Sequence, residues 1–400
     1  MVKNEDMPTD LVADILARLP AKPLMRFKCV QKSWYSLIQN PRFVAKHLLC
    51  FNKKDNIKGV DHLLVKRTRP ATFDSSDQCR KAFISLLSFN QVTNHTSLNL
   101  LDLPYYQNNV THIQILGPCN GIYCLYSIPI SLINPSTREL KVVPNYPIRS
   151  SPGTYNLQSY PGFGFDPKTN DYKVVLLMDS WREDTNENLG WLAEIYSLKS
   201  NCWRQVDCPV PASISIWCES WIHCYVHRAY HWWGYDDVGD LILAFDISDE
   251  MFRTIRGPNL GISSEEIAGI VASFKESISV ITYPREGTEK YFDVWVMEDY
   301  GKEESWTKQL RIGPILDVER PLGFWRNRQL LLEDSNGRMV LYDPDAEEIK
   351  NLVVHGERSS LQAAIYMESL VSLRGETEEN QAGISYVDIV PDPIVDGSSV

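Results

Sequence analysis

The sequence predicts an α+β multidomain protein in which a small all-α segment precedes a large, mainly-β domain. Two observations carry this prediction. Residues 7–47 place apolar side chains at helical spacing, and from Phe83 onward short runs of Val, Ile, Leu, Tyr and Trp are separated by Gly, Pro, Asn and Asp. The chain has 400 residues, of which 44% are hydrophobic, enough for one small and one large core.

The N-terminal segment is predicted to form three or four short helices. Leu11, Ile15 and Leu19 recur four residues apart on one face of the first helix, which Thr9 is placed to cap. The other boundary signals are Pro20 at the end of that helix, Pro23 in the first turn of the second, Ser33 as cap of the third and Asn40-Pro41 at its end.

So few residues cannot bury so many large apolar side chains by themselves. The pattern therefore predicts a surface that binds an obligate partner. The alternative is an ordinary helical cap that packs on the rest of its own chain.

This segment resembles the F-box. The match rests on a set of residues in family order: Met7, Pro8, Leu11, Ile15, Leu16, Leu19, Pro20, Leu24, Phe27, Val30, Trp34, Leu37 and Ile38, with Phe43-Val44 after them. The resemblance implies that these residues bind a Skp-family adaptor and, through it, a cullin-RING ubiquitin ligase.

The β-rich region repeats one sequence pattern, which we call the repeated phrase. An apolar pair is followed by Asn, Asp or Ser, then by a turn, a charged residue and a second strand. Each phrase predicts a hairpin. The phrases span residues 132–143, 164–177, 195–206, 244–255, 295–310 and 341–353. Most of these hairpins are preceded by another pair of predicted strands, so that residues 113–354 contain five four-stranded units. Such spacing predicts a β-propeller.

A sixth blade is predicted from both ends of the chain. Residues 62–66, 82–89 and 98–103 supply three strands, and residues 364–373 supply the fourth. This closure removes an open sheet edge. A β-sandwich built of the same hairpins is the alternative.

The β region resembles the plant F-box-associated domain, which is Kelch-like. The matching phrases include Gly117-Pro118-Cys119-Asn120-Gly121, Gly162-Phe163-Gly164-Phe165-Asp166, Phe245-Asp246-Ile247 and Glu368-Ser369-Leu370-Val371-Ser372-Leu373. One departure is His227-Arg228-Ala229, where the family usually has Asn-Gly-Ala, so a tight turn there is expected to be strained. The predicted domains are an F-box over 4–48, the propeller over 49–374 and an acidic, largely disordered tail over 375–400.

More narrowly, the phrases RFKCVQKSW, VWVMEDYG and YMESLVSL resemble S-locus F-box and S-locus F-box-like proteins of self-incompatible plants. That resemblance implies a pollen protein that recognises basic S-ribonucleases of the style and delivers them for ubiquitination.

Charge is consistent with a basic target. Residues 1–81 carry 16 basic and 8 acidic residues, a net of +8, whereas the rest carries 24 and 43, a net of −19. An acidic body argues against nucleic acid and favours a basic protein partner, although acidic loops also merely keep a large domain soluble. The polar N-terminus, the absence of a long apolar run and the unpatterned cysteines predict a cytoplasmic or nuclear protein outside the membrane.

Catalytic and metal patterns are weak. His223, His227 and His231 lie four apart, but on a strand that spacing is about 13 Å, too far for one zinc ion. The pairs Asp236-Asp237 and Glu265-Glu266 read as solvated turns rather than hydrolytic carboxylates. We therefore expect a non-catalytic adaptor with no cofactor or metal. A glycan- or ligand-binding propeller is the alternative class.

The target-binding loops are not fixed by the sequence. Candidate residues lie in acidic, turn-like stretches near an aromatic side chain: Trp181, Glu183, Asp184, Asp236 and Asp237.

Overall fold

The computed structural model describes the two domains over most of the chain. The described residues are 8–52, 60–70, 80–90, 95–102, 113–146, 153–217, 222–260, 266–325, 328–374, 384–386 and 388–391.

Four short helices form the N-terminal domain, as predicted. They are α1 (Thr9–Leu16), α2 (Ala21–Phe27), α3 (Lys32–Gln39) and α4 (Pro41–Asn52). Pro23 lies in the first turn of α2, and α3 ends immediately before Asn40-Pro41. The predicted caps are wrong, because Pro8 and Gln31 occupy the cap positions and Thr9 and Ser33 lie inside their helices.

The strands that follow are mostly short and antiparallel. They are β1 (Val60–Pro70), β2 (Arg80–Asn90), β3 (His95–Asp102), β4 (Gln114–Cys119), β5 (Ile122–Tyr126), β6 (Ser131–Asn134), β7 (Glu139–Val142), β8 (Thr154–Asp166), β9 (Asp171–Arg182), β10 (Asn188–Ser197), β11 (Cys202–Val206), β12 (Ser215–Ile216), β13 (Tyr225–Val226), β14 (Ala229–Asp236), β15 (Gly239–Asp246), β16 (Met251–Arg256), β17 (Ile267–Phe274), β18 (Ser277–Pro284), β19 (Glu289–Met297), β20 (Trp306–Leu316), β21 (Val318–Phe324), β22 (Leu330–Asp334), β23 (Arg338–Asp343), β24 (Glu348–His355), β25 (Gln362–Ile365), β26 (Ile384–Tyr386) and β27 (Asp388–Pro391).

These strands build a six-bladed β-propeller. Blade I contains β4–β7, blade II β8–β11, blade III β12–β16, blade IV β17–β20, blade V β21–β24, and blade VI β25 with β1–β3. The innermost strands of five blades, together with β14 of blade III, contact one another in a closed ring. All six predicted hairpins are present. The β-sandwich alternative is therefore excluded.

Blade VI joins the two ends of the chain, as predicted. β25 pairs antiparallel with β1, with Leu64 opposite Ala364 and Lys66 opposite Gln362. The predicted strand over residues 364–373 is largely wrong, because β25 ends at Ile365 and residues 366–374 continue without regular secondary structure. We call residues 366–374 the closing segment.

Two short pieces of the predicted tail also form strands. β26 pairs with β7 at the outer edge of blade I, and β27 pairs with β3 at the outer edge of blade VI. The other residues of 375–400 lie outside the described part of the chain.

Strand direction sorts the turns of the propeller onto two ends. Because neighbouring strands are antiparallel, turns from first to second and from third to fourth strand share one end, which we call the helical end. The closing segment lies there and contacts the helical domain through Glu368 and Leu370. Turns from second to third strand lie at the opposite end, which we call the distal end.

Candidate adaptor-binding and target-binding surfaces

Helix α1 divides its apolar side chains between two environments. Leu16 is 4% exposed within the core of the helical domain, whereas Leu11 and Ile15 are 49% and 47% exposed. Leu11 and Ile15 are four residues apart and therefore lie on one helix face. An apolar face left exposed in a folded chain indicates a protein-binding surface.

The other predicted adaptor residues fall into three groups. The exposed group, to which Leu11 and Ile15 also belong, contains Pro8, Pro20 and Val30. The half-buried group contains Leu19, Phe27, Trp34 and Leu37. The buried group, to which Leu16 also belongs, contains Leu24 and Ile38. Met7 lies outside the described residues. The buried group holds the helices together rather than facing a partner.

Aromatic packing keeps the helices in place. The rings of Phe27 on α2 and Trp34 on α3 meet edge to face with centroids 5.3 Å apart. His47 on α4 lies with Nε2 3.0 Å from the carbonyl oxygen of Leu19, and burial lowers the pKa of its imidazole. Tyr35 and Leu49 are exposed apolar residues that the sequence pattern did not single out.

The five candidate target residues are all at the distal end, on two neighbouring blades. Trp181 is the penultimate residue of β9, and Glu183 and Asp184 occupy the β9–β10 turn; Asp236 and Asp237 lie at the β14–β15 turn of the next blade. Strands β8 and β9 are 13 and 12 residues long and pair Tyr155 with Trp181 near their ends, so this hairpin is longer than the corresponding one in blade I.

The five candidate target residues differ in how accessible their side chains are to a partner. Glu183, Asp184 and Asp237 are exposed, whereas Trp181 is half-buried. Asp236 accepts two hydrogen bonds from the Arg256 guanidinium, at 2.7 and 2.6 Å, and one each from the amides of Val238 and Gly239. The Arg256 bonds lower the pKa of Asp236 to about 2. Asp236 therefore stabilises the turn, which leaves Asp237 for contact.

Exposed apolar side chains accompany this acidic group. Ile128 and Val238 lie in second-to-third turns and Leu316 closes β20, so all three belong to the distal end. The sequence does not single them out, because an apolar residue at the end of a strand or in a turn looks the same whether the fold buries or exposes it. The signal that could have identified them is the position of each turn within its blade.

The histidines do not form a shared site. His227 lies exposed in the β13–β14 turn, whereas His231 is buried on β14 with Nδ1 3.3 Å from the Cys224 carbonyl oxygen and Nε2 3.0 Å from the Tyr300 hydroxyl. Over the described residues there is no group of three or more His, Cys, Asp or Glu side chains that could hold a metal ion. Within the same residues, no helix combines the length and the apolar character that a membrane span requires.

Comparisons with known proteins agree with this architecture. Residues 5–46 match the F-box domain, and residues 78–387 match the F-box associated beta propeller domain. The F-box protein CPR1 of Arabidopsis thaliana is 27% identical over 395 residues, which cover 91% of this chain and 88% of that protein. An F-box/kelch-repeat protein of the same plant is 26% identical over 379 residues, covering 93% and 97%.

A solved structure, TolB from Acinetobacter baumannii, aligns with 81% of this chain and 73% of its own at 13% identity. The TM-score of this alignment is 0.40.

The fold thus defines a two-domain protein in which four helices are joined to a six-bladed propeller. With the propeller family matching more than half of its length, the chain belongs to the F-box proteins that carry an F-box-associated β-propeller domain.

Proposed function

We propose that this chain is the substrate-recognition subunit of a Skp–cullin–F-box ubiquitin ligase. In this role residues 4–48 bind the Skp-family adaptor, residues 49–374 bind the target, and the acidic residues 375–400 follow. The chain acts as a non-catalytic adaptor in the cytoplasm or nucleus. It accelerates ubiquitin transfer by holding the target near the conjugating enzyme.

The exposed face of α1 carries the proposal. Leu11 and Ile15 remain about half exposed, although Leu16 on the same helix is buried in the core of the helical domain. Burying two such side chains against a partner contributes about 2 to 4 kcal/mol. Val30 adds exposed apolar surface in the same domain.

Substituting the exposed face tests this function. We expect Leu11→Asp with Ile15→Asp to weaken adaptor binding at least about 100-fold, because two charges would be desolvated at the interface. Leu16→Asp is a poorer test, since a charge at that buried position would unfold the helices. Binding is measured by biolayer interferometry with purified Skp-family adaptor.

Val353→Asp is the matched control, because Val353 is 62% exposed on β24 of the propeller. It should leave adaptor binding unchanged. The assigned surface would be refuted if the control lost as much adaptor binding as the double variant. It would also be refuted if the double variant kept full adaptor binding and an unchanged circular dichroism spectrum.

We further propose that the target is a basic protein bound at the distal end. Support comes from the exposed carboxylates of Glu183, Asp184 and Asp237 and from the net charge of −19 after residue 81. An S-ribonuclease recognised in pollen is the target that the S-locus resemblance suggests. The relatives described above are named only as F-box proteins, so this narrower role rests on resemblance and charge.

Charge reversal at the β9–β10 turn tests the target surface. Glu183→Lys with Asp184→Lys should weaken binding of a basic S-ribonuclease about tenfold and reduce its salt dependence, since two attractive charges become repulsive. Titration calorimetry at two salt concentrations measures both effects.

Glu347→Lys with Glu348→Lys is the control, because this exposed pair lies in a third-to-fourth turn at the helical end. An equal loss in the control would indicate general charge attraction. Tight binding of the basic protein lysozyme would argue against a specific receptor.

A further inference from the structure

The closing segment lies between the helical domain and blade I. It continues from β25, the inner strand of blade VI, towards the helical end. Its residues 368–371 alternate between the two domains, as expected where successive side chains point to opposite sides of the chain, and Ser372 and Leu373 then contact the propeller.

Two side chains of the segment reach the helical domain. Leu370 is 4% exposed and packs in the same apolar cluster as Leu16, Leu24 and Phe43. Glu368 accepts a hydrogen bond from the Ala21 amide at the start of α2, with an N–O distance of 2.7 Å. The core of the four helices is therefore completed by a residue more than 300 positions later in the chain.

Other residues of the segment are fixed to blade I. Asn134 Nδ2 donates to the carbonyl oxygens of Ser369 and Val371 at 3.2 and 2.7 Å, and the Leu373 amide donates to Glu139 Oε2 at 2.7 Å. Leu373 is fully buried in the apolar cluster shared by blades I and II.

Close approach at Gly121 holds the segment against the propeller. A Cβ atom at Gly121 would lie 2.4 Å from the Ser369 Cβ and 2.7 Å from the Met367 carbonyl oxygen. The β4–β5 turn therefore admits the segment only because residue 121 has no side chain.

Lys28 of the helical domain and Glu139 of blade I also interact electrostatically. Lys28 follows α2 and is half-buried, and burial lowers the pKa of its ammonium while Glu139 opposes that shift. Glu139 also receives a hydrogen bond from the Ser372 hydroxyl. One carboxylate thus interacts with the closing segment and with the helical domain.

From these contacts we infer that the closing segment sets the orientation of the F-box relative to the propeller, with Leu370 and Glu368 as positioning residues for ubiquitin transfer. The part of this inference that concerns transfer rests on the proposed function. A target on the distal end would be held at a fixed distance from the conjugating enzyme. If the segment were loosened, that distance would vary over a wider range.

A distance measurement in the full chain tests the orientation. Spin labels are placed on the exposed residues Cys29, in the helical domain, and Cys202, on blade II, with Cys50, Cys79, Cys208 and Cys218 replaced by Ser. Pulsed electron resonance should give one narrow distance distribution. Leu370→Ala should broaden it, because the link to the helical core loses its apolar anchor.

Leu361→Ala is the matched control, since Leu361 is equally buried just before β25 but packs in the blade V–VI core. It should keep the narrow distribution. An unchanged distribution in Leu370→Ala, or equal broadening in both variants, would overturn the inference.

A reconstituted transfer assay tests the consequence. With purified Skp-family adaptor and a basic S-ribonuclease both saturating, we expect Leu370→Ala to slow ubiquitin transfer to the ribonuclease about tenfold and to distribute ubiquitin over more of its lysines, while both dissociation constants change less than threefold. Unchanged transfer, or a loss that follows adaptor binding, would overturn the positioning role. If the unaltered chain supports no transfer, the proposed function fails and the distance measurement alone decides the orientation.

Discussion

At the scale of single residues, the β13–β14 turn shows a conflict between sequence and backbone. His227 and Arg228 have φ angles of 52° and 64°, the left-handed pair of a type I′ turn that favours Asn-Gly. The same turn in blade I is Asn120-Gly121, with φ of 51° and 78°. The strain expected from the sequence is therefore present, and the His227 ring partly offsets it by packing 4.6 Å from the Tyr300 ring.

Arg228→Gly should stabilise the propeller by about 1 kcal/mol, because glycine adopts the left-handed region without the steric cost of a Cβ. The midpoint of urea unfolding measures the change. Arg228→Ala removes the guanidinium but keeps the Cβ, so it should bring no gain. Equal midpoints for the two variants would show that the side chain, rather than the backbone, determines the effect.

Residue roles were predictable from sequence only where they depend on near neighbours. The apolar periodicity of α1 identified Leu11, Ile15 and Leu16 together, yet it could not say which of them is buried, because the answer depends on packing against α2 and Leu370. Asp236 was expected to be available to a target, but its partner Arg256 is 20 positions away and joins it only through the fold.

At the scale of elements, the hairpins were predictable because their turns are stabilised locally. Asn134 Oδ1 accepts a hydrogen bond from the backbone amide of Ser136, and Asp166 Oδ1 accepts one from the backbone amide of Lys168. The same kind of bond recurs at four further turns. The recurrences join Asp246 to Ser248, Asp236 to Val238, Asp334 to Asn336 and Asp343 to Asp345. Four of these residues, Asn134, Asp166, Asp246 and Asp343, lie in the repeated phrases, and there the bond across two residues explains why Asn or Asp recurs.

The closing segment is predicted as a strand for an equally physical reason. Five of residues 366–373 are apolar, as in many strands, but several backbone groups of the segment bond to side chains of blade I rather than to a neighbouring strand. The sequence shows which residues are apolar and not which groups their backbone bonds. In blade III the sequence predicts a strand over residues 223–226, which contains β13, but it does not predict β12, which is only two residues long.

At the scale of the whole molecule, closure by both chain ends has two consequences. It pairs β25 with β1, so the ring is complete only when residues near both termini have folded. It also carries the chain directly from the closed ring into the F-box core. The two candidate binding surfaces, on α1 and at the distal end, therefore belong to one continuous structure.

Stability of the whole molecule should depend on pH through two histidines of blade III: His231, which is buried, and His223, whose two ring nitrogens are shielded from solvent. Burial lowers the pKa of His223 and of His231 to about 3, against an ordinary value near 6.5. Neither ring nitrogen of His223 finds a hydrogen-bond partner among the described residues, so its protonated form would be especially costly.

The sign of the effect follows from proton binding. Above pH 6.5 both histidines are neutral in the folded and unfolded chain, so their contribution to stability is fully present. Between about pH 6.5 and 3 the unfolded chain binds protons that the folded chain excludes, so the free energy of unfolding falls as pH falls. Each histidine should cost about 2 kcal/mol at pH 5.

Comparison with His223→Phe isolates this contribution, because the pKa values of Glu139, Glu333 and Glu368 are raised by burial and oppose the trend in both proteins. Phe preserves an aromatic ring beside Tyr230, whose centroid lies 5.0 Å from that of His223. Between pH 7 and 5 the unaltered chain should lose about 2 kcal/mol more unfolding free energy than the variant, measured by urea titration at each pH. Parallel losses would mean that His223 is protonated, or solvated, in the folded state.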